Sequence, residues 1–352
     1  MIWMMERLLF IIKVPPPYFI KASYYQMKIM QRLVLSFCVL IILVFNMVGS
    51  AAMGDEGENK QVARGKEQVK TIPATRGADF TETNTEMELI FVKGGCYRMG
   101  DSFESRENKA LPYHPICPED YVPAKDEEPL HEVCVSDFYL GKYEVTNRQY
   151  QRFALETGSH LPEWAEDESN YSIYTGGGGY YAIMGDALTA DDHPVVGISW
   201  HDAAAFTEWL SIKTGRTFRL PTEAQWEFAA RDGGKEEKWS GTNDLSSLRK
   251  YAWFADNSNG KTRTVGQKLP NGLGFYDMSG NVWEWCQDWY EDRYYGSSPR
   301  NNPQGPPVGT TRVLRGGSWI SIPATVRASN RDWGYPSSRT SIYGFRVAMP
   351  AR

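Results

Sequence analysis

Two carboxylates stand seven residues apart in the run Asp277-Met278-Ser279-Gly280-Asn281-Val282-Trp283-Glu284. Calcium takes six to eight oxygens and mixes carboxylates with backbone carbonyls around a turn. Asp277 and Glu284 could supply the side chains, and Gly280 and Val282 the carbonyls. The alternative for the same string is an acidic turn whose tryptophans pack in the core.

The cysteines are the next chemical resource. The chain has five, and four follow residue 52: Cys96, Cys117, Cys134 and Cys286. Their spacing matches no zinc or redox pattern. Four cysteines allow three full pairings, and Cys96 and Cys134 each lie in a strand-like run, so these two are the expected disulfide. Cys286, among the tryptophans of WEWCQDW, is expected to be a buried free thiol, which packs as a small hydrophobe. Cys117 stays open.

Arg315, Arg327, Arg331 and Arg346 form a third set. A planar, permanently charged guanidinium serves buried carboxylates or anion recognition. Two readings follow. The arginines tie loops together, or Arg327 and Arg331 line a binding cleft with Ser318, Trp319, Ser321 and Asn330. The five histidines fall at no helical or hairpin metal-ligand spacing.

Local elements must position these groups. Thr146 with Gln149, Ser199 with Asp202 and Thr222 with Gln225 each have the spacing of a capping box, and each precedes an apolar periodic run. Gly158, Gly215 and Gly233 are the expected stops. Short strand-like runs such as MELIFV, HEVCV, TRVLRGGSW and YGFRVAM surround the helices. The expected class is α+β with little regular secondary structure.

At the N-terminus, Lys28 and Arg32 precede the apolar run 33–48 and the small residues 49–52. That is the order of an export signal, with Met27 or Met30 as alternative starts and an uncleaved anchor as the alternative fate. Residues 1–52 read as N-terminal extension and signal peptide, 53–85 as a flexible polar linker, and 86–352 as the folded domain. Residues 1–52 carry five of the 38 basic and one of the 43 acidic residues, so the remainder has a net charge of about −9. Nucleic acid and anionic lipid are therefore not the expected partners, and no membrane contact is expected beyond the export signal.

Five segments in order carry a family resemblance: GKYEVTNRQYQRF, HPVVGISWHDAAAFTEWLSIKTGRTFRLPTEAQWEFAAR, NGLGFYDMSGNVWEWCQDWY, RGGSW and GFRVA. Residues 86–350 resemble the formylglycine-generating enzyme, or sulfatase-modifying factor, family. The resemblance implies a C-type-lectin-like variant fold with bound calcium, and Asp277, Gly280, Val282 and Glu284 match its calcium ligands. It also implies copper(I) on two cysteines shortly after RGGS. Here that segment reads Ser318-Trp319-Ile320-Ser321, with Ser321 near the first thiol position, and no cysteine follows Cys286. A hydroxyl does not replace a soft thiolate toward copper(I), so copper is not an expected cofactor. The resulting expectation is a periplasmic or secreted module on this scaffold that does not generate formylglycine. Its expected partner is a protein, peptide or glycan. The alternative is a family enzyme with altered chemistry in the maturation of a periplasmic substrate.

Overall fold

A computed structural model describes residues 77–101 and 125–351, all within the unit 70–352. The predicted export signal, most of the predicted linker and Cys117 lie outside the described residues.

Strands β1 (Phe80–Glu82), β2 (Met87–Val92), β3 (Gly95–Met99), β4 (His131–Val135) and β5 (Phe138–Gly141) open the fold. Helices α1 (Asn147–Thr157), α2 (Trp200–Thr214) and α3 (Glu223–Ala230) follow. Strands β6 (Trp283–Trp289), β7 (Arg312–Arg315), β8 (Arg331–Gly334), β9 (Tyr343–Gly344) and β10 (Ala348–Pro350) complete it. Three sheets result, ordered β1-β2-β5-β10, β3-β4 and β8-β7-β6-β9. Long irregular segments join them, in line with the expected α+β class.

Strand β1 corrects the linker boundary, because residues read as linker pair with β2, Phe80 opposite Leu89. The polar composition hid this strand. Phe80 packs edge-on against Tyr139, and the Glu82 carboxylate accepts from the backbone of Asn84 and Thr85 to close the following turn.

All three capping boxes form, each with reciprocal side-chain and backbone bonds. Their closing bonds satisfy helical N–H groups that would otherwise lack partners. Gly158 and Gly215 take the left-handed conformation that stops α1 and α2. Helix α3 ends three residues before Gly233, at Ala230.

Helix α3 differs from an amphipathic surface helix because every one of its residues is buried. Trp226, Phe228, Ala229 and Ala230 join a core with Ile90, Leu140, Cys286 and Val313. The same helix carries Glu223 and Glu227 inside, so a charged layer lies beside the apolar one. No helix among the described residues is long and apolar enough to cross a membrane.

Candidate functional site

The Asp277–Glu284 run is a tight, fully buried turn leading into β6. Asp277 and Asn281 have positive φ, and Gly280 has φ +90°. A Cβ at Gly280 would meet the Trp253 carbonyl at 2.0 Å, so glycine is required there. Asp277 Oδ2 accepts from the Gly266 N–H at 2.8 Å, while Oδ1 has no hydrogen-bond partner among the described residues. Val282 is fully buried behind Gly344.

Glu284 is already reached by protein donors. Arg346 Nε and Nη2 each donate to one of its oxygens at 2.7 Å, and Trp226 Nε1 adds a bond of 2.8 Å. A two-point guanidinium pair uses the fixed fork geometry of arginine and is among the stronger hydrogen-bonded contacts. The carboxylate that is left half-open is instead Glu144, in the loop between β5 and α1. Its Oε2 accepts from Asn281 Nδ2 at 2.8 Å, and its Oε1 has no partner among the described residues. Burial, then the charge of Asp277, pushes the Glu144 carboxyl well above the usual range. Burial pushes Asp277 up to about 6.

Three buried carboxylates thus share one buried guanidinium. Lys268, whose Nζ sits 3.6 Å from the Trp253 ring centre, adds a weaker positive field at Asp277. Hard oxygen donors and two buried carboxylate oxygens without a partner among the described residues are the kind of ligands a calcium ion takes. Nothing in the residues after Cys286 fits copper(I), since no thiolate is present there.

Sequence reasoning missed Glu144, although it lies in the quoted GKYEVTNRQYQRF. The available signal was an acid between Tyr143 and Val145 at the end of an apolar strand.

The six residues read as a cleft are brought together, but not around open space. Ser318, Trp319, Ser321, Arg327, Asn330 and Arg331 are all buried, with Ser321 the most exposed at 9%. Arg327 bonds both oxygens of Glu127, at 2.8 and 2.6 Å. Arg331 bonds both oxygens of Glu223, at 2.7 and 3.0 Å, and Arg315 pairs with Glu227. Although burial pulls Glu223 up, Arg331 and Arg315 hold it below the usual carboxylate range. The loop-tying reading of the arginines is therefore the one observed. A desolvated charge persists in a core only when paired.

The Ser318 N–H donates to Ser321 Oγ at 2.9 Å, and the two hydroxyl oxygens are 3.3 Å apart. Trp319 Nε1 donates to the Ser341 carbonyl, and Asn330 Nδ2 to that of Arg331. What faces outward nearby is apolar and aromatic. Ile320 is 51% exposed, and Trp333 and Tyr335 pack edge to face with ring centres 6.0 Å apart.

Cys96 and Cys134 are directly opposite on β3 and β4, and their sulfurs are bonded. Cys286 is the free cysteine among the described residues, and burial pushes its thiol up. His131 tilts against Tyr295, and His193 bonds Thr262 Oγ1, so both have packing roles.

A second buried acid, Asp288 on β6, provides a pH test. Burial and then Glu223 push it up to about 7, while its Oδ2 accepts from the Glu223 N–H at 2.9 Å. Its folded pKa lies above its unfolded one. Its stabilising contribution is therefore complete below about pH 4 and is lost as pH rises toward 7. Asp288→Asn keeps an acceptor and removes the charge. Its stability relative to wild type should rise steadily between those limits in urea unfolding. A pH-independent difference would show that Asp288 ionises normally.

The comparisons with known proteins bear on the family and the fold. Residues 75–351 match the sulfatase-modifying factor enzyme 1-like domain. The chain is 37% identical over 229 residues to a serine/threonine-protein kinase pkn1 of Chlamydia pneumoniae, covering 64% of this chain and 35% of that protein. It thus spans only about a third of that relative's length. It is 32% identical over 300 residues to a formylglycine-generating enzyme of Streptomyces coelicolor, covering 74% of this chain and 89% of that enzyme. Among solved structures, Treponema denticola variable protein 1 superposes with a TM-score of 0.58 at 28% identity, covering 77% of this chain and 98% of that one.

Proposed function

The chain belongs to the sulfatase-modifying factor enzyme 1-like family, and from that premise we propose that it is an exported binding or accessory module that does not generate formylglycine. Its partner is a protein, peptide or glycan. The observation that carries this reading is the segment after the Arg315-Gly316-Gly317 turn, where Ser318 and Ser321 stand buried and no thiol is available. Copper(I) needs soft anionic ligands, and a hydroxyl is neither soft nor anionic at neutral pH. Cys286 offers no substitute, being enclosed in β6 with its thiolate disfavoured. Arg315, Arg327 and Arg331 are each paired with a buried carboxylate, so these three guanidinium groups are already engaged within the protein. Exposed Ile320, Trp333 and Tyr335 suit contact with a partner, since aromatic side chains supply large contact area with a polar handle. A calcium ion at the Asp277 turn belongs to this reading as a structural cofactor.

The protein, incubated with a sulfatase-type cysteine peptide, copper and oxygen, should leave the peptide mass unchanged. Copper-dependent conversion would sink the reading. The binding half predicts that Trp333→Ala with Tyr335→Ala abolishes partner recovery by the immobilised protein; recovery equal to wild type would move the contact elsewhere. The second reading, an enzyme of altered chemistry, draws on the 32% identity to the Streptomyces coelicolor enzyme and on the adjacent Ser318 and Ser321 hydroxyls.

A further inference from the structure

We propose that Cys96, Cys134 and Glu132 form a zinc site on the outer face of the β3–β4 sheet once the disulfide between the two cysteines is reduced.

The first ground is register. Cys96 on β3 stands directly opposite Cys134 on β4. Side chains alternate along both strands. Tyr97, Met99, Val133 and Val135 are buried in the core beside α3, while Cys96 and Glu132 are exposed and Cys134 is half-buried. Glu132 precedes Cys134 by two residues and so shares its face. The two sulfurs and a Glu132 carboxylate oxygen all lie within 4.8 Å of one another. Zinc holds thiolate sulfur at about 2.3 Å and carboxylate oxygen at about 2.0–2.2 Å. Side-chain rotation alone therefore brings all three onto one ion. The fourth position, on the solvent side, falls to water.

The second ground is charge. Arg300 donates to Glu132 from Nε, and its Nη2 lies 4.0 Å from Cys96 Sγ. A neighbouring guanidinium favours the thiolate over the thiol. Two thiolates and one carboxylate carry three negative charges. Zinc and Arg300 supply three positive ones, so the occupied site is neutral. Thiolate donors select zinc over calcium or magnesium, which take oxygen ligands.

The third ground is a framework that does not depend on the sulfur–sulfur bond. The Cys134 N–H donates to the Arg300 carbonyl at 2.7 Å, and the Cys134 carbonyl accepts from the Asn302 N–H at 2.8 Å. The ladder to β3 holds the other edge of the strand. The cysteines therefore stay opposed after reduction.

An exposed disulfide is open to attack by a thiolate. A dithiol reductant supplies two electrons and two protons, the S–S bond breaks into two thiols, and the dithiol closes into a cyclic disulfide. Zinc then displaces both thiol protons. The bridged form is the one expected of an exported chain, so zinc uptake would report contact with a thiol donor.

The test is a zinc titration by calorimetry on the oxidised protein and on protein reduced with excess dithiothreitol and desalted under argon. The reduced protein should bind one more zinc than the oxidised protein and release about two protons with it. Cobalt(II) in place of zinc should give a thiolate-to-cobalt absorption band only after reduction. Reduction should lower the urea midpoint, and zinc should raise it again by mass action. Glu132→Gln, at an exposed side chain, should weaken the additional zinc by about tenfold or more. Cys117→Ser should leave it unchanged. Equal zinc binding by the oxidised and reduced chains would overturn the site. So would additional zinc that persists in the reduced Cys96→Ala, Cys134→Ala variant or vanishes in Cys117→Ser. If the alanine pair does not fold, Cys96→Ser gives the same reading. Undiminished affinity in Glu132→Gln would overturn the three-ligand set.

Discussion

Replacing Arg346 with methionine should destabilise the protein by about 3–5 kcal/mol or prevent it from folding, the usual cost of removing one partner from a buried ion pair. Methionine fills similar space but makes none of the bonds. Glu284, fully buried, would keep only the Trp226 indole N–H. The carbonyls of Gly141, Lys142 and Tyr276 would lose their shared donor, so the loss reaches from β6 to the end of β5. Asp277 and Glu144 would also lose the positive field that Arg346 provides. Arg346→Lys is the informative companion. It retains the charge but not the two-point geometry, and should fall between methionine and wild type. Urea unfolding at pH 7 reads all three. A methionine variant within about 1 kcal/mol of wild type, the scale of an exposed ion pair, would mean that the pair is solvated.

Removing the Cys96–Cys134 bond should cost a similar amount. The two residues are 38 apart in sequence, and the chain-entropy estimate for closing a loop of that length is about 4 kcal/mol. Strands β3 and β4 form a sheet of only two strands, which has little independent stability. The cross-link also ties down the chain on either side of residues 102–124. The Cys96→Ala, Cys134→Ala double variant should therefore unfold at markedly lower urea than the oxidised wild type. Peptide mapping without reductant should recover the two cysteines together. A bridge involving Cys117 would show that the pairing differs, and equal urea midpoints would show that the bond adds no stability.

What could be read locally was read from interactions between near neighbours. A capping box is a contact between residues three apart, and Thr146, Ser199 and Thr222 each form one as their spacing implies. The strand character of the runs around Cys96 and Cys134 is likewise local, and it was enough to pair them. Polar composition misled at Phe80–Glu82, because a short edge strand needs few apolar residues once its neighbour supplies the ladder. The cleft expectation failed for a different reason. An arginine has the same letter on a surface and in a core, and only its partners distinguish the two.

Those partners are distant in the chain. Arg346 and Glu284 are 62 residues apart, Asn281 and Glu144 137, and Arg327 and Glu127 200. By itself the sequence determined the family, the three helices and their N-terminal caps, the absence of thiols after Cys286, and the oxygen-rich turn at Asp277. Tertiary structure alone decided which carboxylates in the core are paired and which keep a free oxygen. Helical and strand patterns reflect bonding along the backbone, whereas neutralising a buried charge depends on whichever opposite charge the fold carries to within about 3 Å, the span of a hydrogen bond.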